Sequence, residues 1–253
     1  MTSGVVIKDK VALVLGGAGG IGSATCALLA GEGARVVMTH RPTAEAQAAA
    51  GQKLAALSGA GHAALPADVA DMASLLALRD QIASRFGRLD ILVNSAGFTK
   101  AVPHGDLDAL TDDLIDRMFQ VNWRGQYAAI RTFAPMLKTC GEGLIVNVSS
   151  IAGFTGAGSS IVYGATKAGI DVMTRSLARV LAPQVRVLAV SPGAVDTTFV
   201  PGRGPDFNAK AAAAAPLRRV ATPEDVARAI VACATHLTYA TGVTVVVDGG
   251  RSL

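Results

Sequence analysis

Tyr163 and Lys167 bracket the segment Tyr-Gly-Ala-Thr-Lys, which puts a phenol and an ammonium four residues apart. On a helix that spacing places both on one face. A positive charge beside a phenol favours the phenolate and brings its pKa down from about 10 towards neutral pH. Such a tyrosine can give a proton to a carbonyl oxygen that receives hydride, or take it back in the reverse direction. Thirteen residues upstream of Tyr163 lies Ser150, next to Ser149 at the end of the apolar run LIVNV. A hydroxyl there can point at the same oxygen. A lone Tyr-xxx-Lys is a common helix face, so the reading depends on what accompanies it.

What accompanies it is a glycine-rich turn, Leu15 to Gly22, reading LGGAGGIG. Glycines between a strand and a helix let backbone N–H groups approach phosphate oxygens at the positive end of the helix dipole. The spacing is Gly16-xxx-Gly20-x-Gly22, with Gly19 and Ile21 inside it. About 20 residues further on, a carboxylate would accept hydrogen bonds from a ribose carrying a free 2′-hydroxyl. The sequence there is Met38-Thr39-His40-Arg41, and Glu45 already belongs to the next helix. Arg41 can instead pair with a 2′-phosphate, with Thr39 and His40 as added donors. This predicts NADP(H) over NAD(H), with NAD(H) as the alternative.

Short apolar runs at 11–15, 35–39, 89–93, 144–148, 185–190 and 243–247 alternate with helical patterns. The helical patterns cover about 22–31, 43–58, 71–86, 111–138, 160–182 and 223–236. Strands this apolar suit a parallel sheet covered on both faces. The alternation predicts an α/β fold, a single-domain Rossmann-type doubly wound sheet over residues 1–253. The Pro- and Gly-rich stretch from Ser191 to Pro216 breaks the alternation after a strand end, where open α/β sheets bind ligands. A substrate-covering lobe is expected at about 198–216, with Phe199, Val200 and Phe207 apolar and Arg203, Lys210 and Arg218 basic.

Composition removes other classes. With 51% hydrophobic residues and a net charge of +4, the chain is not disordered. Three cysteines, Cys26, Cys140 and Cys233, cannot form a disulfide framework and read as free thiols. A charge-free run of 21 residues, Val11–Gly31, is long enough for a membrane span. Five glycines within Gly16–Gly22 break it into a strand and a helix. A cytoplasmic protein without membrane partner is therefore expected. The basic side chains are scattered, so no nucleic-acid partner is expected. His62, His104 and His236 lack metal-ligand spacing, and no metal is assigned.

With these residues in place the chain resembles the short-chain dehydrogenase/reductase family from about Lys10 to Gly250. The matching segments are the glycine turn, Asp68-Val69, Asn94-Ser95-Ala96-Gly97, Asn122, Ser150, Tyr163 with Lys167, Pro192-Gly193 and Asp248-Gly249-Gly250. The resemblance implies Tyr163 as proton donor, with Lys167 lowering its pKa and binding the nicotinamide ribose. It implies Ser150 as the serine that orients the carbonyl, and Asn122 as holder of a relay water through its main chain. Asp68 would meet the adenine amino group, with Asn94 and Ala96 beside the adenosine ribose, and Val69 and Gly97 count with them. Pro192, Gly193, Val195 and Thr197 would border the nicotinamide.

There are three departures: Leu15 replaces a hydroxyl residue that ties the turn to a neighbouring strand, Ser95 replaces an asparagine, and the final helix-to-strand connection, His236 to Gly242, is a little short. The overall look is closest to 3-oxoacyl-acyl-carrier-protein reductases. The expected function is an NADPH-dependent carbonyl reductase, also running as a secondary-alcohol dehydrogenase on a small carbonyl or alcohol substrate. The alternatives are an NAD-dependent polyol, sugar or hydroxy-acid dehydrogenase and a non-catalytic NADP(H)-binding sensor. The resemblance also implies a homotetramer.

Overall fold

The computed structural model describes residues 5–202, 204 and 206–253. Six strands fall on the predicted apolar runs: β1 (Val11–Leu15), β2 (Arg35–His40), β4 (Ile91–Asn94), β5 (Gly143–Val148), β6 (Val185–Pro192) and β7 (Thr244–Val247). A seventh, β3 (Ala63–Pro66), escaped the sequence reading. Its four residues AALP contain no β-branched or aromatic side chain. Pairing with Val37–His40 of β2 makes it a strand, so tertiary context overrides its weak propensity. The strands form one parallel sheet in the order β3-β2-β1-β4-β5-β6-β7.

The helices are α1 (Gly20–Gly31), α2 (Ala44–Ala55), α3 (Met72–Phe86), α4 (Asp112–Phe119), α5 (Gly125–Thr139), α6 (Ala152–Thr155), α7 (Ile161–Leu181), α8 (Phe207–Ala213) and α9 (Pro223–Thr235). The single helix expected over 111–138 is divided, because Gln120–Arg124 forms a π-helical turn between α4 and α5. Several starts are set by side-chain caps. Thr43, Asp71, Thr111 and Ser160 each accept a backbone N–H, and Thr222 with Asp225 forms a reciprocal capping box at α9.

The sheet divides the core in two. Leu13 and Leu15 of β1 point to the face where Leu75, Phe133 and Ile170 of α3, α5 and α7 pack. Ala12 and Val14 point to the face covered by Leu29 of α1 and Val226 and Ile230 of α9. Every residue of β1 is buried, which is why its run carries no polar alternation. The charge-free stretch Val11–Gly31 is thus a strand, a turn and a twelve-residue helix. Among the described residues no helix is long and apolar enough to cross a membrane.

Candidate active site

The strand order reverses between β1 and β4, which opens a crevice at their carboxyl ends. The glycine turn lines one side. Gly16 has φ of +73°, and a Cβ there would lie 2.7 Å from the Ala96 nitrogen after β4. On Gly22 a Cβ would fall 2.1 Å from the Gly16 oxygen, and on Gly20 it would fall 2.7 Å from Thr197 Cγ2. At Gly16 and Gly22 a side chain would strike backbone, so turn, helix start and the β4 loop close together there, while Gly20 leaves room for the Thr197 side chain. The N-terminal turn of α1 carries the positive end of the helix dipole, and Gly19 and Gly20 are exposed there while Ile21 is half-buried. This arrangement suits a diphosphate.

The hydroxyl missing at Leu15 is supplied from another strand. Thr39 Oγ1 of β2 accepts from Gly16 N at 2.9 Å and donates to Val14 O at 3.4 Å. Thr39 is buried in that task and is no donor to a phosphate, a correction to the expectation. His40 is also buried, with Nδ1 2.8 Å from Arg41 O. A carbonyl oxygen only accepts, so this contact keeps the proton on Nδ1. Arg41 is exposed at the strand end.

Beyond it, Asp68 is exposed and its carboxylate accepts from Ala70 N at 2.8 Å. Val69 is buried, and a Cβ on Gly125 would lie 3.0 Å from its Cγ2. Asn94 Nδ2 donates to Asn147 Oδ1 at 2.8 Å, and Asn147 Nδ2 donates in turn to Thr174 Oγ1 at 2.9 Å. Asn94 Oδ1 is buried without a hydrogen-bond partner.

Past β5 the chain turns at Ser149 and Ser150 into the short α6. A Cβ on Gly153 would lie 2.7 Å from Ala168 N, so α6 sits on the backbone of α7. Tyr163 occupies the first turn of α7, where Ser160 Oγ accepts its N–H at 3.2 Å. Lys167 follows one turn later and is buried, its Nζ donating to Val148 O at 2.8 Å. That ammonium lies 5.6 Å from the centre of the Tyr163 ring. Burial pushes the Lys167 pKa down to about 8, while the charge of Asp171 one turn on opposes the shift.

The two serines differ in what they are free to do. Ser149 Oγ donates to Lys167 O at 3.1 Å. Ser150 Oγ accepts from Ala152 N at 3.2 Å, so its own proton stays available to a carbonyl oxygen. Asn122 lies in the π-helical turn and its side chain is fully engaged. Oδ1 accepts from Phe98 N at 2.8 Å, and Nδ2 donates to Phe98 O at 2.9 Å and Thr166 Oγ1 at 3.3 Å. Any part it plays in the reaction is through its main chain, where the π turn interrupts the α-helical ladder.

Pro192 ends β6 and its carbonyl accepts from Ile151 N at 3.1 Å, which brings the serine segment beside the β6 end. Gly193 passes Asp248 so closely that a Cβ would meet Asp248 Cβ at 2.9 Å. Asp248 accepts from Gly250 N and Ser252 N, both at 2.8 Å, so the Asp248-Gly249-Gly250 segment is a closed turn behind the site. Val195 is buried and bridges to Ala221. Thr197 lies over Gly20, and Phe199 tilts over Tyr163 with ring centres 6.1 Å apart. A Cβ on Gly97 would lie 3.5 Å from the Phe199 ring, so this phenyl roofs the space between β4 and α7.

Sequence reasoning counted Phe199 only as one apolar lobe residue. Its place over the phenol depends on how the segment after β6 folds back, for which no local signal exists. Of the basic lobe residues, Arg218 Nη1 donates to Ala213 O at 2.8 Å, Lys210 is exposed, and Arg203 lies outside the described residues. His62 is structural, its Nδ1 accepting from Val36 N at 3.0 Å. Among the described residues no three His, Cys, Asp or Glu gather as a metal site.

Comparison with known proteins agrees with this geometry. A family model described as enoyl-(acyl carrier protein) reductase matches residues 16–252. A candidate ketoacyl reductase of the granaticin polyketide synthase from Streptomyces violaceoruber is 41% identical, with 97% of each chain covered. The cis-4-hydroxycyclohexanecarboxylate dehydrogenase of Sinomonas cyclohexanicum is 39% identical, with 98% of each chain covered. A solved doubly substituted short-chain dehydrogenase/reductase of Serratia marcescens superposes with a TM-score of 0.85 at 33% identity, covering 98% of this chain and 100% of that one. With fold, ordered motifs and full-length relatives in agreement, the chain belongs to the short-chain dehydrogenase/reductase family and is an oxidoreductase.

Proposed function

We propose that the protein is an NADPH-dependent reductase of ketones, reversible as a secondary-alcohol dehydrogenase. The observation that carries this reading is the buried Lys167 ammonium, 5.6 Å from the Tyr163 ring and tied at 2.8 Å to Val148 O, two residues before Ser150. When bound, the nicotinamide supplies or accepts hydride. Ser150 donates a hydrogen bond that orients the carbonyl oxygen, and Tyr163 delivers the proton that this oxygen gains. Lys167 holds positive charge near the phenol and makes its proton easier to lose. In oxidation each role reverses, with Tyr163 taking the hydroxyl proton. Asn122 serves through its main chain in returning that proton to solvent.

The preference for NADPH is supported by Arg41, exposed at the end of β2 where a carboxylate would otherwise accept from the ribose. The glycine turn and the exposed start of α1 take the diphosphate, while Asp68, Val69, Asn94, Ala96 and Gly97 wall the adenosine. Pro192, Gly193, Val195 and Thr197 take the nicotinamide. Two substrate classes have specific support. The granaticin relative and the apolar lobe residues Phe199, Val200 and Phe207 favour a β-ketoacyl thioester. The Sinomonas relative favours an alicyclic hydroxy acid. We further infer a cytoplasmic homotetramer; the tetramer is supported by the groove between α5 and α7, where Ile130, Ala134, Leu177 and Leu181 lie beside Arg131 and Lys138.

The test is NADPH oxidation over β-ketoacyl thioesters, alicyclic keto acids and simple ketones, with Tyr163→Phe as control. Turnover of one class with NADPH, abolished in the variant, is the expected result. Better turnover with NADH would overturn the cofactor assignment.

A further inference from the structure

Arg41 is not the only cation at the adenosine end of the crevice. Lys53, near the C-terminal end of α2, is half-buried and donates from Nζ to Ala18 O at 2.6 Å. Ala18 lies inside the glycine turn, and its N–H donates to Thr39 O at 3.1 Å. The Lys53 ammonium is therefore pinned to the strip of backbone that joins the glycine turn to the end of β2. In a doubly wound fold the adenosine ribose lies along that strip, between the diphosphate on the turn and the residue that ends β2. An ammonium has three donors, and Ala18 uses one. Among the described residues no carboxylate forms an ion pair with Lys53.

We infer that Lys53 is a second specificity-determining residue, a cation that meets the 2′-phosphate of NADP(H) from α2 while Arg41 meets it from the end of β2. The inference rests on the NADPH reading above and adds to it a residue remote in sequence from the turn and from β2. A lysine held by a main-chain carbonyl is pre-organised, so little side-chain freedom remains to be lost when the phosphate arrives. A purely structural tie from Lys53 to Ala18 would serve NADH and NADPH alike.

The substitution that separates the two roles is Lys53→Gln, which keeps a donor for Ala18 O and removes the charge. Coenzyme KM and kcat/KM would be measured with NADPH and NADH, and calorimetry would give Kd for 2′-AMP and 5′-AMP on the substrate-free protein. We expect the affinities for NADPH and 2′-AMP to fall roughly tenfold, the scale of one charge-assisted hydrogen bond. Those for NADH and 5′-AMP should stay as they were, and Lys53→Arg should restore the NADPH values. Equal losses for both coenzymes, or no loss, would show a structural lysine and overturn the inference. If the glutamine variant melts early, Lys53→Met is titrated with 2′-AMP and 5′-AMP below its melting temperature: a loss confined to 2′-AMP is expected, and equal losses or none overturn the inference. Preference of the unmodified protein for NADH would instead defeat the cofactor reading itself. Preference for NADPH left intact by Lys53→Gln would defeat only the role of Lys53.

Discussion

The glycine turn and the lobe after β6 face each other across the same crevice and are built on opposite principles. In the turn, contacts are backbone on backbone: a Cβ on Gly22 would sit 2.1 Å from Gly16 O, and one on Gly16 2.7 Å from Ala96 N. Thr39 and Lys53 add side-chain bonds to Gly16 and Ala18 from two further elements. The described residues of the lobe are tied outward by side-chain bonds such as Asn208 Nδ2 to Asp196 Oδ1 at 3.0 Å and Arg251 Nη1 to Ala211 O at 3.1 Å. Gly204 has nothing within 4 Å of a Cβ position. On the proposed function, a coenzyme common to many reactions would meet the over-determined side and the substrate the other. Loops with few buried contacts open at low free-energy cost, which suits entry and release.

The largest effect should come from the residue between the two regions. Tyr163→Phe removes the proposed proton donor and should lower kcat by about 10²- to 10⁴-fold, with coenzyme affinity retained in a fluorescence titration. Full activity in that variant would remove the phenol from the reaction. Next, Gly22→Ala should destabilise by about 1–3 kcal/mol through overpacking and weaken coenzyme binding. Gly204→Ala in the lobe should stay within about 0.5 kcal/mol. Equal melting temperatures for the two would erase the contrast.

A pH profile sharpens it further. Lys167 is protonated below about 8 and loses its charge above that point, leaving Tyr163 a weaker acid. Reductive kcat/KM should therefore fall as pH rises through about 8. Asp171 favours the charged form of Lys167, so Asp171→Asn should move that descending limb to lower pH. An unmoved limb would mean another group controls it. The smallest effect belongs to the roof. Phe199→Ala should change KM and the order of preferred ketones by less than about tenfold, and should change the coenzyme Kd less than that, since the ring lies over Tyr163. A large change in coenzyme affinity would show that the lobe is part of the coenzyme site.

The regular parts of this molecule were legible because their physical causes are local. A run such as VALVL with no polar alternation can only be a strand covered on both faces, and Thr222-Pro223-Glu224-Asp225 carries its own capping box. The four-residue spacing of Tyr163 and Lys167 needs nothing but a helix to align them. β3 was not legible, since AALP becomes a strand only by pairing with β2. Nor was the break at Gln120–Arg124, where Asn122 is tied to Phe98 and Thr166 by contacts from distant segments.

By itself, then, the sequence determined the order of six strands and of the long helical segments between them, the glycine turn, and the identities of the phenol, ammonium and hydroxyl. Short-range periodicity and residue chemistry suffice for each. Only the tertiary structure decided that Thr39 takes the place of the hydroxyl absent at Leu15, and that Ser149 is spent on Lys167 O while Ser150 keeps its proton. It likewise decided that Phe199 roofs the phenol and that Lys53 reaches Ala18. Each of these contacts joins residues at least eighteen positions apart, except the local turn at Ser150, and such pairings are settled by packing across the sheet rather than by neighbours in the chain.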